Sequence, residues 1–174
     1  ILTEGKISEG NAVHLLMSAL LHDAGYIQEK NDYVGTGAKY TFNHVERSMN
    51  FVRQNRDSLF LAEEEAESVA RMIKATEFIL DFRTLSYASV EEQRCGAILA
   101  AADLVGQMAD RIYLEKLLFL YNEFREAGMP GFNTEFDILR KTNDFYNLTR
   151  KRLDESLEGI GRYAQIHFLK RHNI

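Results

Sequence analysis

Cysteine and proline are both scarce in this chain. Its 174 residues include one cysteine, Cys95, and one proline, Pro130. A single cysteine excludes an intrachain disulfide, which is typical of proteins kept in a reducing compartment, so we predict a cytoplasmic protein. With one proline and few glycine-rich stretches, little in the sequence interrupts a helix.

The chain also lacks an excess of basic residues and any long apolar run. Its formal net charge is -5, so it has no general basic field for a nucleic-acid polymer. A phosphate-bearing ligand would have to be attracted locally, by a metal ion or by a few Arg and Lys side chains. No apolar run has transmembrane length and no signal peptide is visible, so we expect no membrane partner.

What is present is helical periodicity. Apolar residues recur at helical spacing along most of the chain, as Val45, Met49 and Val52 do, and no stretch alternates convincingly like a strand. The chain is long enough to bury a real core in one domain. The sequence therefore predicts an all-α domain.

Several polar residues mark the expected helix ends. Ser8 is placed to cap the first helix, and Ser89 with Glu92 has the spacing of a capping box. The helical pattern after Ser89 continues to about Ala127, which is long enough that it must bend or break. Thr142 is predicted to cap the last helix.

The stretch "LLMSALLHDAGY", residues 15–26, joins an apolar helix to a His-Asp pair, His22 and Asp23. A carboxylate at the inner end of such a helix must be paired, hydrogen-bonded or metal-bound, because burying it bare costs several kcal/mol. Two interpretations are open. One is a helix-end His followed by an Asp that caps the next turn, and the other is a pair of metal ligands.

Asp103 is the second unusual carboxylate. It follows three alanines within an apolar helix, where Asp is a poor helix former and small neighbours allow another helix to approach. Gln107, Asp110 and Arg111 lie one to two turns further on, roughly on its face. Asp103 is either a buried carboxylate bonded to Arg111 or to a neighbouring backbone, or a metal ligand brought to His22 and Asp23 by helix packing.

Among the other histidines, His44 is the candidate. It opens a helix, where a His is usually just exposed. His14 lies about 12 Å along a helix from His22, too far to share a metal whose ligand bonds are near 2 Å. His167 and His172 lie in the basic tail, where we expect them to be solvated.

Taken together, "ALLHDAGY", the His-led helix "FNHVERS" and the later "AAADLVGQ" resemble the HD superfamily of metal-dependent phosphohydrolases. The resemblance covers about residues 12–111, and "AADLVGQMADRIYLEKLLFLYNEF" is similar to the metal-Asp helix of cyclic-nucleotide phosphodiesterases. It implies a phosphodiesterase-like helical bundle. We expect residues 1–130 to form this core and residues 131–174 a C-terminal helical extension packed on the same domain.

The resemblance also implies a site for a divalent metal, which could be Mn, Fe, Mg or Zn. The matching ligand positions are His22, Asp23 and Asp103, and His44 matches a histidine near a second metal or the substrate phosphate. Asp23 and His44 are then the catalytic residues of a metal-activated hydrolysis. The family's first metal His lies on a helix further upstream of the doublet than this sequence reaches, so we expect this fourth ligand to be missing from residues 1–174.

The implied substrate is a small phosphorylated, nucleotide-like molecule. Lys39, Arg47 and Arg111 are candidates to hold its phosphate oxygens, and the alternative for each is a solvated surface charge. Gln107 is predicted to contact the substrate or to orient Asp103.

Departures from the family pattern narrow the class and keep a second function open. Tyr26 and Ile27 stand where alarmone hydrolases have a Glu-Asp pair and 5'-nucleotidases have a Glu, and Tyr26 stands where the cyclic-di-nucleotide branch has a Lys, so these branches of the family are disfavoured. Thr76 and Glu77 occupy a stretch where many members carry another His, although Glu77 could serve as a ligand. The missing upstream His and the altered 76–77 stretch favour the alternative, a catalytically inactive HD-fold regulatory or interaction module. A homodimer is left open, because "YLEKLLFLYNEF" is apolar on more than one face.

Overall fold

The computed structural model describes residues 7–172, and every regular element in that range is helical. The α-helices are α1 Glu9–Leu21, α2 His44–Gln54, α3 Glu63–Lys74, α4 Val90–Met108, α5 Tyr113–Glu126, α6 Glu135–Lys151 and α7 Arg162–His172. Short 3₁₀ turns at Ala24–Tyr26, Gly37–Tyr40 and Phe82–Thr84 and a π-helical segment at Arg152–Ser156 connect them. The all-α prediction is confirmed.

Two of the expected helix starts are confirmed. The Ser8 hydroxyl accepts the Asn11 N–H at the start of α1, and the Ser89 hydroxyl accepts the Glu92 N–H at the start of α4. Each hydroxyl satisfies a backbone donor that has no partner within its helix. The long helical pattern breaks between Met108 and Tyr113, as its length required.

The predicted cap at Thr142 is wrong. Helix α6 begins two turns earlier, where the Asp137 carboxylate accepts the N–H and the hydroxyl of Thr134 and closes a capping box. That box satisfies the first free N–H groups, so the helix starts there. Thr142 lies inside α6, and its hydroxyl donates to the Ile138 carbonyl at 2.9 Å.

Helix α3 lies at the centre of the bundle, with α1, α2 and α4 packed around it. Val45, Met49 and Val52 of α2 are buried against Val69 and Ile73 of α3, as their spacing predicted. The side of α3 that carries Met72 faces α1 and α4. These contacts bring the C-terminal end of α1, the start of α2 and the C-terminal part of α4 to one end of the bundle.

The residues after Pro130 contribute to the same core. Leu157 is fully buried with Phe82 and Ala97. The guanidinium of Arg152 donates to carbonyls between residues 75 and 80 in the segment that follows α3. The two parts of the described chain are thus joined by both apolar packing and hydrogen bonds.

Helix α1 is less buried than its apolar sequence indicates. Val13, Leu16 and Leu20 are exposed on one side, and only Ser18 is fully buried. The apolar run therefore supplies a packing face and also an open one. Within the described range no helix combines the length and the apolar content needed to cross a bilayer.

Cys95 is fully buried in α4. Its Sγ lies 3.9 Å from the Asn11 carbonyl of α1. Burial raises the pKa of the thiol to about 11. At neutral pH the side chain is therefore a neutral, apolar filler between α1 and α4.

Candidate metal centre

The backbone carbonyls of two histidines, one at the end of α1 and one at the start of α2, contact the same buried hydroxyl. His22 follows the last residue of α1, and His44 is the first residue of α2. The hydroxyl of Ser48 faces the carbonyls of His22, at 2.6 Å, and His44, at 2.8 Å, and it accepts the N–H of Gly25. The backbones that carry both imidazoles are therefore held in one fixed arrangement.

The turn after the His-Asp pair is fixed just as closely. A Cβ atom at Gly25 would lie 1.9 Å from the carbonyl oxygen of His44, so only glycine fits there. Arg47 of α2 donates to the carbonyls of Gly25, at 2.7 Å, and Ile27, at 2.9 Å. The loop therefore lies directly against the start of α2.

Both imidazoles are oriented by a backbone carbonyl. Nδ1 of His22 lies 2.9 Å from the Ala19 oxygen, and Nδ1 of His44 lies 2.8 Å from the Thr41 oxygen. Because a carbonyl only accepts, Nδ1 carries the proton in each ring. In the neutral imidazole each Nε2 then presents a lone pair, which is the form that binds metal ions.

These Nε2 atoms face carboxylates. Nε2 of His22 lies 3.4 Å from Oδ2 of Asp23 and 3.8 Å from Oδ1 of Asp103. Nε2 of His44 lies 3.8 Å from Oδ1 of Asp23. The separations exceed those of good hydrogen bonds, whereas two ligand atoms about 2.1 Å from one ion lie roughly 3–4 Å apart.

The four side chains form a chain of pairs, His44 to Asp23 to His22 to Asp103. Within residues 7–172 no three His, Cys, Asp or Glu side chains already form a compact metal-binding group. The chemistry of the donor set nevertheless fits a cation, because two lone pairs face two acceptor-only carboxylates.

Asp103 is the buried carboxylate of the group. Its side chain is 20% exposed, and burial raises its pKa, an effect that neighbouring His22 and a hydrogen bond from Gln107 oppose. Nε2 of Gln107 donates to Oδ1 of Asp103 at 3.0 Å, so Gln107 helps to orient Asp103. Arg111, the alternative partner, forms neither a hydrogen bond nor an ion pair with Asp103 in the described part of the chain.

Asp23 differs from the expectation. Its side chain is 59% exposed, so the predicted cost of burying it is absent. The reason is its position, since Asp23 lies beyond the end of α1 and points outward from the turn. The burial cost in this site belongs to Asp103.

Two of the proposed phosphate-binding residues have other partners. Nζ of Lys39 donates to the carboxylate of Asp32 and to the carbonyl of Val34. Arg47 donates to two backbone carbonyls, and its guanidinium carbon lies 3.7 Å from the centroid of the Tyr40 ring. Both stabilise the loop around the site, a role that the sequence does not reveal.

The remaining candidates lie in different surroundings. Arg111 is exposed in the turn between α4 and α5 and has no recorded hydrogen bond or ion pair with residues 7–172. Glu77 pairs with Lys74 at 2.6 Å. His14 lies 3.6 Å from Glu65, away from the site.

His167 lies outside the site. His167 is exposed on α7 and contacts Phe168 edge-on. The side chain of His172 falls outside the described residues.

Sequence reasoning missed Tyr26 and Ser48. The Tyr26 ring stacks on His44 with centroids 4.4 Å apart, and burial raises its pKa to about 12. Ser48 lies four residues after His44 on one helix, the spacing at which a serine hydroxyl reaches back to a carbonyl. That spacing was the available signal for Ser48.

The fold and the site define an all-helical domain with a His/Asp cluster at one end. The sequence matches the Npun_R2479-like family over residues 30–160, most of the chain, and the chain belongs to this family. No curated protein and no solved structure matches it. The matched region includes His44 and Asp103 and begins after Asp23. The family's name describes no activity, so the HD resemblance stays a prediction.

Proposed function

We propose that this protein is a divalent-metal-dependent phosphohydrolase that acts on a small phosphorylated molecule. The observation that carries the proposal is the orientation of the two imidazoles. His22 and His44 each donate Nδ1–H to a carbonyl and turn Nε2 toward Asp23, and Asp103 lies 3.8 Å from the same Nε2 atom of His22. Lone pairs and carboxylates that face one another repel, and either a bound metal ion or a second proton on each imidazole relieves that repulsion.

The donor set favours some metals over others. Two imidazole nitrogens and two carboxylates suit Mn, Fe or Zn better than Mg, which prefers oxygen ligands and retained waters. His22, Asp23, Asp103 and His44 would hold the ion. When bound, such an ion lowers the pKa of a water molecule so that hydroxide is available near neutral pH.

The chain's own residues supply the rest. The exposed carboxylate of Asp23 can accept a hydrogen bond from the attacking water and orient it. A hydrogen bond from Gln107 keeps Asp103 in place, and the stacked ring of Tyr26 fixes the orientation of the His44 ring. Arg111 is the basic side chain of the predicted set that remains available to a phosphate group.

The first prediction concerns metal content. Purified protein is loaded with Mn, Fe or Zn, dialysed and measured by elemental analysis, beside Asp103→Asn and the matched control Asp110→Asn. Asp110 lies on the same stretch of chain but pairs with Lys116. We expect near-stoichiometric metal in the wild type and the control, and loss of most metal in Asp103→Asn, with the helical circular dichroism unchanged.

Turnover is measured on the same preparations with an aryl phosphomonoester and an aryl phosphodiester. Metal-dependent hydrolysis that disappears in Asp103→Asn supports the proposal. Absence of bound metal in the wild type with all three ions contradicts it.

A second candidate is an inactive binding module of the same fold. It is favoured by the engagement of Lys39 and Arg47, which leaves the site with few basic side chains for a phosphate group. This candidate predicts metal binding that Asp103→Asn abolishes, without hydrolysis of either ester.

A further inference from the structure

Helix α6 carries an apolar stripe on its outer side. The stripe consists of three apolar side chains, Phe136, Leu139 and Tyr146, and the polar Asn143, and their spacing of three, four and three residues places them along one face of a helix. All four side chains are exposed. Apolar side chains at this repeat, left open to water, are the pattern of a helix that pairs with another helix.

The inner side of α6 is already used by the fold. Ile138 packs with Leu117 and Tyr121 of α5, and Phe145 contacts Phe78 with ring centroids 5.2 Å apart. Thr149 is fully buried on the same side. Packing within the chain therefore accounts for the inner side and leaves the outer stripe without a partner among residues 7–172.

The charges at the two ends of α6 indicate what covers the stripe. The first turn is acidic, with Glu135, and the last turn is basic, with Arg150 and Lys151. A second α6 lying parallel would bring like charges together at both ends. An antiparallel second α6 brings Glu135 of each copy close to the basic last turn of the other.

The order of side chains along the stripe is also compatible with an antiparallel pair of α6 helices. The stripe has an aromatic residue at each end, Phe136 and Tyr146, with Leu139 and Asn143 between them. In an antiparallel pair, Phe136 of one copy lies on Tyr146 of the second copy, and Leu139 lies beside Asn143.

We propose that α6 binds α6 of a second copy of this chain, antiparallel and with two-fold symmetry. The interface uses the same surface on both copies, as a closed dimer requires. It lies away from the His/Asp cluster and does not depend on the proposed metal or activity.

The test is the mass in solution by analytical ultracentrifugation across a concentration series. We expect the wild-type chain to be a dimer. Leu139→Glu combined with Tyr146→Glu places charge in the seam, and we expect a folded monomer at the same concentrations.

The matched control is Leu148→Glu, on another side of the same helix. Leu148 is 56% exposed and Leu139 is 42% exposed, so the control removes a comparable apolar surface. We expect this variant to remain a dimer.

A charge swap tests the antiparallel direction. Glu135→Lys alone should weaken the dimer by about tenfold at low salt, because it places like charges together at both ends. Adding Arg150→Glu, at the last-turn position that lies on the same face as the stripe, should restore it. A monomeric wild type at every concentration, or a dimer insensitive to the Leu139 and Tyr146 changes, overturns the proposal; so does failure of the charge swap to restore the dimer.

Discussion

At the scale of single residues, the hydroxyl of Ser48 fixes the backbone of the candidate site at several positions. Its hydroxyl is fully buried and satisfies the N–H of Gly25 while it faces the carbonyls of His22 and His44. Three backbone positions of the candidate site therefore depend on one oxygen atom. A buried group with this many partners is costly to remove, since its partners stay buried.

We predict that Ser48→Ala lowers the free energy of unfolding by about 1–3 kcal/mol, because the Gly25 N–H is left without a partner. Urea unfolding followed by circular dichroism measures the change. The control is Ser58→Ala, at an exposed turn, which should change stability by less than about 0.5 kcal/mol. Equal effects at the two positions would show that the Ser48 hydroxyl is not needed.

The candidate side chains could be predicted from the sequence, but their surroundings could not. His22, Asp23, His44 and Asp103 stand out by residue type and local context, and the structure brings them together at one end of the bundle. The exposure of Asp23 depends on how the turn after α1 lies on α2. That is a tertiary contact that no local pattern records.

At the scale of helices, α3 and α4 are joined by a buried ion pair. The carboxylate of Glu92 is 5% exposed, and it accepts hydrogen bonds from Arg71 and Ser68 of α3. Burial alone would raise its pKa, but these partners outweigh burial and lower it. Glu92 is the residue whose spacing from Ser89 predicted a capping box, and its side chain is instead used between helices.

A carboxyl group whose pKa is lowered on folding stabilises the protein above its unfolded pKa of about 4.3. That contribution is lost as the pH falls through the lower folded pKa. We therefore predict that Glu92→Gln costs about 3 kcal/mol at pH 7, and that the difference from wild type shrinks below pH 4.

Urea unfolding at several pH values checks this prediction. The matched control is Glu67→Gln, which removes the partly exposed pair with Arg53 and should cost at most about 1 kcal/mol. A Glu92→Gln effect that is the same at pH 7 and at pH 3 would contradict the assignment.

Helix ends were predictable where a local hydrogen bond decides them and unpredictable where two candidates compete. Ser8 and Ser89 each have one clear role at a helix start. Thr142 failed because Thr134 with Asp137 forms a complete capping box earlier. A sequence pattern identifies both threonines as candidates, and only the folded chain shows which one the helix uses.

At the scale of the whole molecule, Arg152 joins the C-terminal part of the chain to the central helices. Its guanidinium donates to the carbonyls of Ala75, Glu77, Phe78 and Leu80 at 2.7–3.0 Å. Burial lowers its pKa, an effect that nearby acidic groups oppose. Four carbonyls converge on one planar cation, an arrangement that a lysine ammonium cannot reproduce.

We predict that Arg152→Lys lowers the free energy of unfolding by about 2–4 kcal/mol, because several buried carbonyls lose their donor. The control Arg150→Lys, at an exposed position two residues earlier, should be nearly neutral. Urea unfolding followed by near- and far-ultraviolet circular dichroism measures both variants. Two separate transitions in the wild type would show that the C-terminal part folds independently of the core.

The buried thiol of Cys95 can be used to measure how often the helices around it open. Because the sulfur is enclosed between α1 and α4 and stays protonated, alkylating reagents reach it only when those helices separate. The rate at which the thiol is alkylated under native conditions therefore measures how often α1 and α4 separate. Spectroscopic probes can meanwhile be attached to cysteines introduced on the surface, with the native thiol left in place.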